Sequence, residues 1–156
     1  MRVYVVQHGE AVAKEVDPAR PLSEKGRLDG ERLAAFLARI GVRVQRLIHS
    51  GKTRARQTAE LVQWAVLPRG RAEEHPGLGP EDPVAPVAEE LEAGDQDVMI
   101  VGHLPFVGRL VGRLVVGDET RSIAGFVPGT AVCLERSVAG WQVVWMVRPE
   151  VLAKEE

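Results

Sequence analysis

Two of the four histidines in this 156-residue chain stand beside a glycine at the end of an apolar run. His8 lies in Gln7-His8-Gly9-Glu10-Ala11, after Val3-Tyr4-Val5-Val6. His103 lies in Gly102-His103-Leu104-Pro105, after Val98-Met99-Ile100-Val101. A third polar segment runs from His49 through Ser50-Gly51-Lys52-Thr53-Arg54 to Ala59, after Arg46-Leu47-Ile48. Two imidazoles and the Arg54 guanidinium can converge on a dianion. A neutral imidazole can attack an electrophile through its unprotonated nitrogen when the ring is held in place. A guanidinium offers a planar fork of donors to phosphate oxygens. Glycine beside each histidine lets backbone N–H groups come close to an anion. Phosphoryl transfer needs these parts: an in-line nucleophile and positive donors around the equatorial oxygens.

The elements that must hold these groups can be read from hydrophobic spacing. Val3–Val6, Arg46–His49 and Val98–Val101 are short apolar runs of the kind found in buried strands. Ser23 is an N-cap candidate, and Leu33, Phe36, Leu37 and Ile40 share one helical face that Gly41 ends. A second helix is expected from about Thr53 to Trp64, before Pro68. The Gly-, Pro- and acid-rich segment 69–83 reads as a loop, with Asp82 as an N-cap and Pro83 as the first helical residue. Val84, Val87, Ala88 and Leu91 mark a third helix, and Val107, Leu110, Val111, Leu114 and Val115 a fourth. Thr130–Glu135 and Trp141–Val147 flank Arg136–Gly140 as a β-hairpin, with Trp141, Val143, Trp145 and Val147 on one face.

This alternation predicts one α/β domain over residues 1–156, a three-layer α/β/α sandwich. Its sheet is mainly parallel, and the C-terminal hairpin makes it mixed. Ligands in such sheets bind beyond the carboxyl ends of the strands. All three polar segments are expected there. The helices following Arg46–His49 and Val98–Val101 would point their N-termini at the same place.

Composition limits the rest. Apolar residues make up 45% and charged residues 27%, an ordinary globular balance. A net charge of −2 gives no global field for nucleic acid or an anionic membrane, so an anion site must be local. No run is long and apolar enough to span a membrane, and no signal peptide is read, which favours a cytoplasmic protein. The single Cys133 forbids an internal disulfide. The histidines show neither HxH nor HExxH spacing, so no metal is expected. His49 reads as a packed or edge histidine, His75 as a solvated one and Arg56 as a helix-surface arginine.

Taken together, Gln-His-Gly-Glu-Ala at 7–11, Ser-Gly-Lys-Thr-Arg-Ala-Arg-Gln-Thr-Ala at 50–59 and Val-Gly-His-Leu-Pro-Phe-Val-Gly at 101–108 resemble the histidine phosphatase superfamily, the phosphoglycerate-mutase-like proteins. Together with Pro-Leu-Ser-Glu-Lys-Gly at 21–26, they look most like the small bacterial phosphohistidine phosphatases of the SixA type. The resemblance covers about residues 2–147. It implies that His8 is the nucleophile, that Arg54 clamps the phosphoryl oxygens, and that His103 hydrogen-bonds them. It implies no cofactor.

One residue departs from the pattern. The family motif begins Arg-His-Gly, and this chain has Gln7. Gln keeps a donor and loses a charge. The expected phosphate site comprises Gln7, His8, Gly9, Arg54, His103 and Leu104, with Arg20 as a replacement for the missing cation. Glu81 or Asp82 is the candidate general acid. The short loops leave an open site, which suits a phosphate carried on a protein. The expected substrate is therefore phosphohistidine in a protein. The alternatives are a small phosphate ester, or phosphate binding with little catalysis.

Overall fold

Why these segments become strands and helices is clearest from where their side chains are buried. The computed structural model describes residues 1–153. In order, the elements are β1 (Arg2–Gln7), α1 (Glu24–Arg39), β2 (Arg46–His49), α2 (Thr53–Val66), β3 (Glu73–Glu74), α3 (Ala85–Ala93), β4 (Val98–Gly102), α4 (Phe106–Val116), β5 (Ala131–Ser137), β6 (Gly140–Val147) and α5 (Pro149–Leu152). Val3, Val5, Ile48, Val98 and Ile100 face one side, against Val87 and Leu91 of α3 and Phe106 and Leu110 of α4. Tyr4, Val6, Leu47, Met99 and Val101 face the other, against Leu33 and Leu37 of α1 and Ala59 and Val62 of α2. The period-two alternation of a strand thus feeds two cores, which explains why these strands read as continuous apolar runs.

The sheet has six strands in the order β3-β2-β4-β1-β5-β6. The β2–β3, β2–β4 and β1–β4 pairs are parallel, and β1–β5 and β5–β6 are antiparallel. This is the expected three-layer α/β/α arrangement with a mixed sheet. Ser23 caps α1 as expected, its hydroxyl accepting from Gly26 N–H at 3.0 Å.

The structure corrects several details. Helix α3 begins at Ala85 with Val84 at its N-cap, and Asp82 instead accepts from Gly79 N–H at 2.7 Å, closing a turn in the preceding loop. The 69–83 segment contains the short strand β3, which is held by backbone pairing to β2 and not by its exposed glutamates. Ile40 follows the last turn of α1 and is exposed, so it does not extend the buried stripe. The hairpin strands continue to Ser137 and resume at Gly140, which leaves a tighter turn than expected.

The four residues of β6 do not share one face. Cys133 pairs with Trp145 while Leu134 pairs with Val143, so Val144 is an extra residue. One inserted residue reverses the alternation. Trp141 consequently joins the α3/α4 core, while Trp145 and Val147 pack on the α1 side. His75 is not solvated. Its Nε2 lies 3.0 Å from a Glu90 carboxylate oxygen, and its side chain is largely covered.

Candidate active site

The strands carrying the polar segments lie side by side as β2-β4-β1. Register brings their ends level, since Gln7 pairs with Gly102 and His49 with Val101. His8 N–H donates to Gly102 O at 2.9 Å. As a result the His8 and His103 rings sit 4.9 Å apart, centroid to centroid, at 55°.

Each ring has one committed nitrogen. His8 Nδ1 is 2.7 Å from Gly9 O. A carbonyl only accepts, so Nδ1 carries the hydrogen and Nε2 keeps its lone pair. Burial draws the His8 pKa down to about 4, with Arg54 and Arg20 pushing the same way and the Gly9 hydrogen bond opposing them. His8 is therefore neutral near pH 7. His103 is 2% exposed, and its Nε2 is 2.6 Å from Ser50 Oγ. Burial, followed by repulsion from His8 when it is protonated and from Arg54, Lys52 and Arg20, lowers its pKa to about 3.

Several buried polar atoms here lack partners among the described residues: His103 Nδ1, Arg54 Nε and Gln7 Oε1. Buried polar groups are ordinarily paired, so a cluster of unpaired ones marks a place for a ligand. Arg54 is in the first turn of α2, and burial and Arg20 lower its pKa from the usual arginine value. Arg20 is the one non-glycine residue with positive φ, 48°, among the described residues, and its Nε donates to Val12 O at 3.2 Å. An arginine in the left-handed region is strained, and such strain is concentrated at functional sites. Its charge reaches His8, Arg54 and His103.

The structure does not give every expected residue an anion-facing group. Gly9 N–H is taken by Thr58 Oγ1 at 3.0 Å, and Gly9 O holds His8. Gly9 thus orients the imidazole and has no free N–H to offer an anion. Glu81 is 3.8 Å from Arg109 and mostly exposed, and Asp82 is tied to Gly79. Neither carboxylate hydrogen-bonds His8, Arg54 or His103. Leu104 is 43% exposed beside His103. An open groove of about 610 Å³ runs on from it, lined by Pro105, Arg109, Thr120 and Arg121 among others.

The second segment does more than supply Arg54. Gln57 Oε1 accepts from Leu22 N–H at 2.8 Å. Thr58 Oγ1 donates to Arg54 O at 2.8 Å while accepting from Gly9. These side chains tie the loop after β1 to α2. Spacing in the sequence assigns them no role, because it does not reveal where a short polar side chain points. Arg56 pairs with Glu60 at 2.8 Å on the helix surface, and His49 is buried with Nδ1 accepting from Gly51 N–H, as expected for both.

The sequence model of the histidine phosphatase superfamily (branch 1) matches residues 3–78. Phosphohistidine phosphatase SixA of Escherichia coli (strain K12) is 33% identical over 123 residues, covering 76% of each chain. The chain belongs to the histidine phosphatase superfamily. A second relative, the phosphohistidine phosphatase SixA homolog of Haemophilus influenzae, is 30% identical over 142 residues, or 83% of this chain and 85% of the relative. The solved structure of the protein histidine phosphatase SixA complexed with tungstate superposes with a TM-score of 0.86 at 28% identity, covering 98% of this chain and all of that one. Among the described residues of this histidine phosphatase, no group of three His, Cys, Asp or Glu side chains could hold a metal. No described helix is long and apolar enough to cross a membrane.

Proposed function

We propose that this phosphatase removes phosphoryl groups from phosphohistidine in proteins, with His8 as the nucleophile. The observation that carries the chemistry is the His8 tautomer. Nδ1–H is fixed on Gly9 O, and burial keeps the ring neutral, so Nε2 is an available nucleophile. Nε2 attacks phosphorus in line, the phosphorus–nitrogen bond of the substrate breaks, and the substrate imidazole leaves, taking a proton from water. Water then hydrolyses phospho-His8 to inorganic phosphate. Arg54 and His103, with their unpaired Nε and Nδ1, would donate to the equatorial oxygens. Arg20 would supply the charge that Gln7 lacks.

The substrate class rests on four supports. Two of the relatives are named as a phosphohistidine phosphatase or a homolog of one. A related structure holds tungstate, a tetrahedral oxyanion like phosphate. Among the described residues no carboxylate hydrogen-bonds His8 or His103, which suits an imidazole leaving group better than an alkoxide. The open groove beside Leu104 leaves room for a protein surface.

The test is kcat/KM on a phosphohistidine protein beside sugar phosphates and an activated aryl phosphate. Phosphohistidine should be preferred over the alkyl esters, and a preference for an alkyl ester would overturn the substrate assignment. The aryl phosphate has a good leaving group and does not discriminate. His8→Ala should abolish turnover and the acid-labile phosphoenzyme while leaving the fold intact. Wild-type turnover in that variant would overturn the nucleophile. Neutral, buried Gln7 favours a second reading, phosphate binding without useful catalysis. A wild-type protein that binds phosphate yet never becomes labelled would support it.

A further inference from the structure

His103 is neutral at physiological pH, since burial and the nearby His8, Arg54, Lys52 and Arg20 all oppose a second proton. A neutral imidazole has one N–H and one lone pair, and which nitrogen carries which decides what it can do. An oxyanion ligand needs the N–H. Nδ1 is the buried nitrogen without a protein partner, so it is the one left for a ligand. Something must therefore hold the hydrogen on Nδ1.

Ser50 is placed to do so. Its Oγ lies 2.6 Å from His103 Nε2. The same Oγ accepts the Lys52 backbone N–H at 3.3 Å. One lone pair is thus engaged by Lys52, and the hydroxyl hydrogen remains to be given to Nε2. Gly51 fixes the turn, with φ at 88° and its N–H on His49 Nδ1 at 3.0 Å. A left-handed φ suits glycine here, and a Cβ at this position would run into the Glu74 side chain. The backbone therefore sets Ser50 against His103.

We infer that Ser50 is a positioning residue: its hydroxyl donates to His103 Nε2, fixes the Nδ1–H tautomer, and so presents that N–H to the transferring phosphoryl group. The inference rests on the proposed function for the identity of the ligand, but the tautomer itself can be read without turnover. The hydroxyl plays for His103 the part that Gly9 O plays for His8, with opposite sense. An accepting carbonyl leaves His8 a free lone pair, and a donating hydroxyl leaves His103 a free N–H.

The test uses side-chain ¹⁵N NMR of the full chain near pH 7, with phosphate inhibition and turnover as second readouts. In the wild type, His103 should show a protonated Nδ1 and an unprotonated Nε2. Ser50→Ala should mix the two tautomers, raise the inhibition constant of inorganic phosphate by about fivefold or more, and lower kcat by about tenfold. Ser50→Thr, which keeps the hydroxyl, should retain the wild-type tautomer and restore most of the turnover. A wild-type His103 protonated on Nε2 would overturn the inference, as would Ser50→Ala with unchanged spectra and unchanged phosphate inhibition. If the wild type shows the expected tautomer but turns over no phosphorylated substrate, the inference about Ser50 stands and the proposed function fails.

Discussion

At His8 the two ring nitrogens cannot be exchanged, because Gly9 O has already taken one of them. That asymmetry makes the neighbouring donors decisive, and the weakest of these is Gln7. It is buried, neutral, and has an unpaired Oε1. Gln7→Arg should raise kcat/KM on phosphate esters by roughly tenfold if its charge reaches the leaving oxygen, where negative charge builds up. A well-folded but less active variant would instead show that Arg20 already occupies the place of that cation. Arg54→Ala should lower turnover at least about tenfold and weaken inhibition by phosphate, since the other arginine of that turn, Arg56, is paired with Glu60 on the helix surface. Unchanged phosphate inhibition would remove Arg54 from the site. His8, Arg54 and His103 were legible in the sequence because each sits in a motif directly after a strand, and strand ends meet at one edge. Ser50, Gln57 and Thr58 were not legible as supports, since a small polar side chain can point to backbone, solvent or ligand from the same sequence position. Gly9 differs from expectation for a related reason, because its N–H is occupied by a residue 49 positions away.

Between residues and the whole stands the contact of the first loop with α1. A Cβ added to Gly26 would overlap the Glu10 carbonyl oxygen, which is backbone and has no rotamer with which to yield. The Pro-Leu-Ser-Glu-Lys-Gly stretch thus ends in glycine because α1 starts against the loop that carries His8. Gly26→Ala should destabilise the protein by about 1–3 kcal/mol, as overpacking does, and should lower kcat by displacing His8 from Gly9 O and Arg54. Denaturant unfolding and turnover on one preparation test both parts, and an unaltered midpoint with unaltered kcat would show that the loop moves freely. The helices and long strands were readable because their apolar spacing is set by burial. β3 was not, because two glutamates carry no apolar signal and their strand exists only through pairing to β2. The face of β6 was misassigned because a bulge is a property of two paired strands and leaves no trace in one of them.

For the molecule as a whole, the histidines that build the site also set its response to acid. Burial lowers the pKa of His8 to about 4 and of His103 to about 3, and it lowers that of His49 as well. In the unfolded chain each returns to about 6.5. The unfolded state therefore binds more protons than the native state below about pH 6.5, and stability falls as pH falls. The contribution is fully present above the unfolded value and is lost progressively towards the lowered native values. Ordinary carboxylates titrate near pH 4, so the interval from about 6.5 to 5 isolates the histidines. The melting temperature should decline across that interval. Replacing His8 and His103 together by Gln should flatten the decline, since up to about two protons of differential uptake disappear. Catalysis should behave differently over the same range. His8 in the folded free enzyme stays unprotonated down to about pH 4, so kcat/KM should lose its His8-dependent limb only near that value. The two profiles need short assays at temperatures well below melting, so that unfolding is not mistaken for protonation of the nucleophile. An activity limb near pH 6.5, coincident with the fall in stability, would mean that His8 titrates as an exposed imidazole and that burial does not hold it neutral.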